Sequence, residues 1–300
     1  MTKGFYPGRD LNCFGRLNHY HATVNAEDHP KLTERAQSES RFYDRYAGQL
    51  STDHLSPQDT FAPTCLENLY LLEQLGDLQG KRVLDIGCGQ GDTSVFLALH
   101  GAEVRALDVS EGMVEVTRAL ADRHGVGQRV QAQACRIEDM QFPDDYFDLI
   151  FADGVLHHLD MTQAVPNLVR VLKPGGRGVF IEPQKGSIFN EIYRFFAKDL
   201  RTVDEQPLEQ RDFDFLSSQF GQLNHREYHL VSLMLFAMRF IMLKLTGKSF
   251  PYWMDEVRQG KCHPRLLLRL QAIDEWVFRH FPSLRKYTWM TVITAEKIKR

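Results

Sequence analysis

The segment Val83-Leu-Asp-Ile-Gly-Cys-Gly-Gln-Gly-Asp92 constrains the fold of this chain more than any other. A short apolar run enters a loop with three glycines and helix-compatible sequence follows, so the backbone leaves a strand, turns tightly and re-enters as a helix. The next apolar run, Glu103-Val-Arg-Ala-Leu-Asp108, ends on an acid 21 positions after Gly87. Glycines let a backbone approach a ligand with no Cβ in the way, and a carboxylate closing the second strand can accept hydrogen bonds from both hydroxyls of a ribose. A dinucleotide loop of the form G-x-G-x-x-G needs glycine at position 92, where this chain has aspartate; the loop is G-x-G-x-G.

Short β-branched or apolar runs recur at 129–133, 147–152 and 178–182, separated by stretches with helical spacing. Strands alternating with helices predict a parallel sheet covered on both faces. The helices have clear ends: 92–100 stops at Gly101, Ser110 caps the stretch opening Glu111-Gly-Met-Val, and 161–172 stops before the turn sequence Lys173-Pro-Gly-Gly176. Ahead of the sheet, 39–47 and 64–75 have helical spacing. Behind it, 187–197 reads as a helix, 222–229 as a strand, 230–287 as mostly helical, and 288–295 as a final strand. The expected organisation is a helical lid over 1–78, an α/β domain over 79–229 and 288–300, and a helical insertion over 230–287 that covers a substrate.

The chain has 300 residues, 43% of them hydrophobic and 25% charged, with net charge −3, a balance that excludes disorder and collagen-like repeats. No C-x-x-C pair occurs among the five cysteines, so no metal site is expected. The polar, proline-broken start lacks the apolar core of a signal peptide, and a cytoplasmic location is the expectation. From position 230 onward, however, 13 Lys/Arg face 5 Asp/Glu. That excess suits a solvated helical face, or a patch for an anionic substrate, a lipid headgroup or RNA.

Four landmarks in order resemble the class I S-adenosylmethionine-dependent methyltransferases, in particular the small-molecule group that includes the ubiquinone-biosynthesis type. They are Val83-Leu-Asp-Ile-Gly-Cys-Gly-Gln-Gly91, Ala106-Leu-Asp-Val-Ser-Glu-Gly-Met113, Glu138-Asp-Met-Gln-Phe-Pro-Asp-Asp-Tyr-Phe-Asp148, and Gly154-Val-Leu-His-His-Leu159 with Val171-Leu-Lys-Pro-Gly-Gly176. The resemblance implies a doubly wound, Rossmann-like α/β fold with a seven-stranded sheet whose last strand is antiparallel, and S-adenosylmethionine as cofactor. It implies that Asp85 and the loop Gly87, Cys88, Gly89 and Gly91 hold the methionine portion. It gives Asp108 the ribose, Val109 and Met113 the adenine faces, and Ile137 and Glu138 the adenine edge, with Asp153 nearby. Tyr43 and Tyr46 resemble the family's aromatic lid helix. Arg136 stands where the family often has aspartate, which leaves Glu138 or Asp139 for the adenine amino group.

Methyl transfer demands alignment and exclusion of water, and a base only when the acceptor would otherwise stay protonated. The expected catalytic or substrate-contacting groups are Glu182, His157 and His158, with Tyr193, His225, His229 and His263 as further candidates. No Asn/Asp-Pro-Pro-aromatic run follows the fourth strand, which disfavours exocyclic amines of bases, and nucleic acid is disfavoured as a partner. Met234, Leu235, Met238, Met242 and Trp253 suit a pocket for an acceptor with an apolar part, so a small organic or lipid-like acceptor is expected. Peripheral membrane contact through 230–248 is the associated partner expectation. The rival readings are an RNA or protein methyltransferase using the basic C-terminal segment, and a cofactor-binding regulator without turnover.

Overall fold

A computed structural model of the chain describes residues 30–50, 52–53, 55–62, 66–187, 207–245 and 264–298. Two helices, α1 (Pro30–Ala47) and α2 (Leu66–Leu75), precede an alternating series. It runs β1 (Arg82–Ile86), α3 (Asp92–Leu99), β2 (Glu103–Asp108), α4 (Glu111–Arg123), β3 (Val130–Ala134), β4 (Phe147–Asp153), α5 (Met161–Val171) and β5 (Leu172–Pro183). Then come α6 (Gln210–Phe220), β6 (Gly221–Tyr228), α7 (Leu233–Leu245), α8 (Pro264–His280) and β7 (Met290–Lys297). The seven strands form one sheet in the order β3-β2-β1-β4-β5-β7-β6, parallel from β3 to β5, with β7 antiparallel to both its neighbours.

Strand residues alternate between two cores. Val83, Val104, Ala106, Leu149 and Phe151 pack with Leu71, Val95 and Val114 from α2, α3 and α4. Leu84, Ile86, Leu107, Ile150 and Ala152 pack with Leu168 from α5 and Phe213 and Leu216 from α6 on the opposite face. This two-residue period, continued on both faces by apolar side chains, is why the central strands read as unbroken hydrophobic runs. Neighbouring β1 and β4 are reached by crossovers in opposite directions, and the crevice beyond their carboxyl ends is where a doubly wound sheet has room for a ligand.

One local expectation needs correction. Lys173-Pro-Gly-Gly176 does not stand outside the sheet as a turn: Leu172 pairs with Phe147 and Arg177 with Leu149, so the four residues between them form an irregularity within β5. Of the expected N-terminal lid, α1 packs on α4, whereas α2 lies against β5 and β7. The helix expected at 187–197 lies outside the described residues beyond Ser187, as do Tyr193, Lys248, Trp253 and His263.

Candidate functional site

The glycine loop opens a cavity of about 260 Å³ at the carboxyl ends of β1, β2 and β4. Each glycine has a different reason to be one. All three adopt positive φ, but a Cβ on Gly87 would come within 2.4 Å of Val155 Cγ2, and one on Gly91 within 2.7 Å of Thr117 Cα, whereas Gly89 has open space beside it. Gly91 therefore serves the packing of α3's first turn against α4, and it does not line the cavity as expected. We expect Gly91→Ala to destabilise the fold by about 2–5 kcal/mol, through left-handed strain plus a clash with backbone that cannot turn aside. Equilibrium urea unfolding measures this; a loss below 1 kcal/mol would contradict it.

Asp108 lies at the end of β2 and is anchored from both sides. Gly89 N–H donates to its Oδ2 at 3.0 Å and Ser110 N–H to its Oδ1 at 2.9 Å. Burial raises its pKa, against the pull of these backbone donors. Asp85, deeper in the cavity, accepts a hydrogen bond from Ser94. Burial, with Asp92, Asp153 and Asp108 close by, pushes its carboxyl up to about 7. The Cys88 thiol contacts Thr117 Oγ1 at 3.4 Å, and burial lifts its pKa further above the usual thiol range, so it is a packing thiol and not a nucleophile.

The other expected cofactor residues, Val109, Met113, Ile137, Glu138, Asp153, Tyr43 and Tyr46, share the same cavity wall. Arg136 is on it too, 3.6 Å from Glu138 and 3.5 Å from Asp139. Helix α1 contributes Ala36, Glu39, Tyr43 and Tyr46, a single helical stripe. It is held down at two points. Asp44 Oδ1 accepts from Ser110 Oγ and from Gly112 N–H at 3.1 Å, joining α1 to the N-terminus of α4, where a carboxylate also meets the positive end of the helix dipole. Glu39 Oε1 lies 3.1 Å from His158 Nδ1.

Glu182, expected at a substrate contact from its strand-end position, is placed differently. It is fully buried and off the cavity wall: Oε1 accepts from Val155 N–H at 3.0 Å and Leu156 N–H at 2.7 Å, and Oε2 lies 2.7 Å from His157 Nδ1. Its carboxylate holds the turn that presents His158. His157 is likewise off the wall, its ring 4.1 Å from that of His158. His225 pairs with Glu227, and His229 is buried between Ser232 and Glu67, both remote from this cavity. Met234, Met238 and Met242 are exposed and Leu235 is buried in the fold; no described residue of 230–287 lines the cavity.

Sequence reasoning missed Glu39, Asp92, Asp160 and the side chain of Gln90 as wall residues. For Glu39 the signal was present, because it stands one turn before Tyr43 and two before Tyr46 on the same face. Among the described residues the wall carries seven carboxyl side chains (Glu39, Asp85, Asp92, Asp108, Glu138, Asp153 and Asp160) against one guanidinium and one imidazole. Gln90 adds a buried Oε1 with no partner. Such an acceptor set fits a cationic, hydroxyl-bearing ligand and repels a phosphate.

Comparison with known proteins agrees with this geometry. Residues 84–180 match the methyltransferase domain family. A ubiquinone/menaquinone biosynthesis C-methyltransferase, UbiE, of Geobacter sulfurreducens is 34% identical over 124 residues, 39% of this chain and 48% of that protein. A ubiquinone biosynthesis O-methyltransferase of Coxiella burnetii is 35% identical over 158 residues, 51% of this chain and 63% of that protein. The matched region thus spans less than two thirds of either relative's length. Among solved structures, geranyl diphosphate C-methyltransferase from Streptomyces coelicolor A3(2) shares the fold, with TM-score 0.54 and 15% identity over 91% of this chain and 100% of that one. The strand order, the glycine loop with its paired acid, and the sequence match agree with one another: residues 84–180 of this doubly wound sheet match the methyltransferase domain family.

Proposed function

We propose that the chain is an S-adenosylmethionine-dependent methyltransferase acting on a small organic or lipid-like acceptor. The carrying observation is the acid-rich cavity at the carboxyl ends of β1, β2 and β4, closed on one side by α1. The cofactor, when bound, supplies a methyl group on a positively charged sulfur, open to in-line displacement. Asp108 would take the ribose hydroxyls while Gly89 and Ser110 keep its carboxylate aimed, and Asp85 would face the cationic methionine end. Met113 and Val109 would flank the adenine, and Ile137 and Glu138 its edge. Tyr43 and Tyr46 on α1 would exclude water, which strengthens every electrostatic contact inside. His158 is the one imidazole among the described wall residues and the group best placed to take a proton from an acceptor. Relatives named for ubiquinone, menaquinone and geranyl diphosphate favour this acceptor class over RNA or protein.

The test is calorimetric titration of the full chain with S-adenosylmethionine across pH. With Asp85 near 7 in the free site, a ligand cation must displace its proton, so affinity rises with pH and levels off above about 7. One proton per site gives about tenfold per pH unit, so binding at pH 5 should be about 100-fold weaker than at pH 8. Asp85→Asn should flatten the profile. Absence of binding at any pH would remove the functional reading; binding with no pH slope would remove only the role of Asp85.

A further inference from the structure

We propose that the outward face of α8 seats on an anionic lipid bilayer, which goes beyond the methyl-transfer reading and does not rest on it. The helix has 17 residues and buries Leu267, Gln271, Asp274 and Phe278, one stripe at i, i+4, i+7 and i+11. At 100° per residue the opposite stripe is Arg265, Arg269, Trp276 and His280, flanked by Leu266, Ile273 and Arg279. All seven are exposed, including Trp276 at 54% and Ile273 at 45%, and Phe281 just beyond the helix is also 54% exposed. No acid lies on this face. Glu275 is on the flank and is taken by Arg226, while Arg265, Arg269 and Arg279 make no ion pair among the described residues.

Three features choose the partner. Arginines without local partners present charge to something anionic. The aliphatic Leu266 and Ile273 sit among them, and these gain from an acyl boundary but not from a phosphodiester backbone, which separates a bilayer from RNA. An indole on the same stripe suits the headgroup level, where one edge is apolar and the other wet. The neighbouring helix is consistent with this. Asp274 of α8 accepts hydrogen bonds from Leu230, Val231 and Ser232 N–H just ahead of α7, and α7 exposes Met234, Met238, Ile241 and Leu245 at i, i+4, i+7 and i+11. No helix among the described residues is long and apolar enough to cross a membrane, so the contact is one of lying on the surface. The charge excess beyond position 230 adds a long-range attraction of the same sign.

The experiment is flotation of the full chain with vesicles of phosphatidylcholine alone and of phosphatidylcholine with phosphatidylglycerol, at low and moderate salt. The chain should float with the anionic vesicles and not with the neutral ones. The double variant Arg265→Gln, Arg269→Gln should partition about thirtyfold more weakly, since each arginine near a charged surface contributes about fivefold. Trp276→Ser should weaken partition about tenfold or more, and brominated lipid should quench wild-type fluorescence more than that of Trp276→Phe. Since all these side chains are exposed, the variants should keep their thermal transition and cofactor affinity. Absence of flotation overturns the proposal, as does flotation indifferent to the arginines. So does retention on heparin or RNA that vanishes in the double variant while neither protein floats, an outcome that assigns the face to nucleic acid.

Discussion

Asp108→Ala should weaken S-adenosylmethionine binding by about 10²–10⁴-fold, because two hydrogen bonds from ribose hydroxyls to a carboxylate each contribute about 1.5–3 kcal/mol. The carboxylate also closes the glycine loop: without it Gly89 N–H and Ser110 N–H lose their acceptor, at about 1–3 kcal/mol for each that stays dry. Affinity and stability therefore fall together, and the two losses need separating. Asp108→Asn does so. It keeps an oxygen for Ser110 N–H, two residues on, but turns an amide toward Gly89 N–H, so most of the fold's stability should survive while binding remains well below wild type. Calorimetry on both variants, beside urea unfolding of each, decides the matter. A folded Asp108→Ala chain that binds as wild type would show that this acid only braces the loop.

What sequence could and could not reveal divides along a physical line. The strand-loop-helix at 83–92, the acid at 108 and the cap at Ser110 are local: each depends on a backbone conformation that few residue types permit, so the letters reveal the geometry. Ser110 indeed accepts from Met113 N–H at 3.1 Å. Glu182 shows the opposite case. A carboxylate closing a central strand can face a cavity or be consumed by the N–H groups of the next loop, and only the path of 154–158 decides which. The same holds for Met234, Met238 and Met242. Helical period shows that residues share a face, but what covers that face is a long-range fact, and here the three are exposed. Glu39 went unnoticed because an acid on an amphipathic helix is ordinarily solvated. It is buried only because α1 lies over the end of the sheet, where His158 receives it.

That pairing carries the second large expectation. His158→Ala should lower kcat by about 10²–10⁴-fold, the usual contribution of a positioned general base, while S-adenosylmethionine affinity changes far less. With Glu39 accepting at Nδ1, the ring's proton is held there and Nε2 becomes the basic nitrogen. The turn that carries the ring is fixed from behind by Glu182 through Val155 and Leu156 N–H, and the His157 ring lies tilted alongside. Because Glu39 belongs to α1, the orientation it would give a base at His158 depends on that helix covering the cavity, which would tie exclusion of water to readiness for proton removal. Glu39→Gln tests the tie: a glutamine can offer an amide N–H to Nδ1 and drive the proton to Nε2, so kcat should fall at least about tenfold even with the helix in place. Single-turnover kinetics with a phenolic or carbon-acid acceptor read this directly. If both variants turn over at the wild-type rate, the acceptor releases its proton without help and His158 is a wall residue alone; if Glu39→Gln is silent while His158→Ala is not, the imidazole acts without its partner from α1.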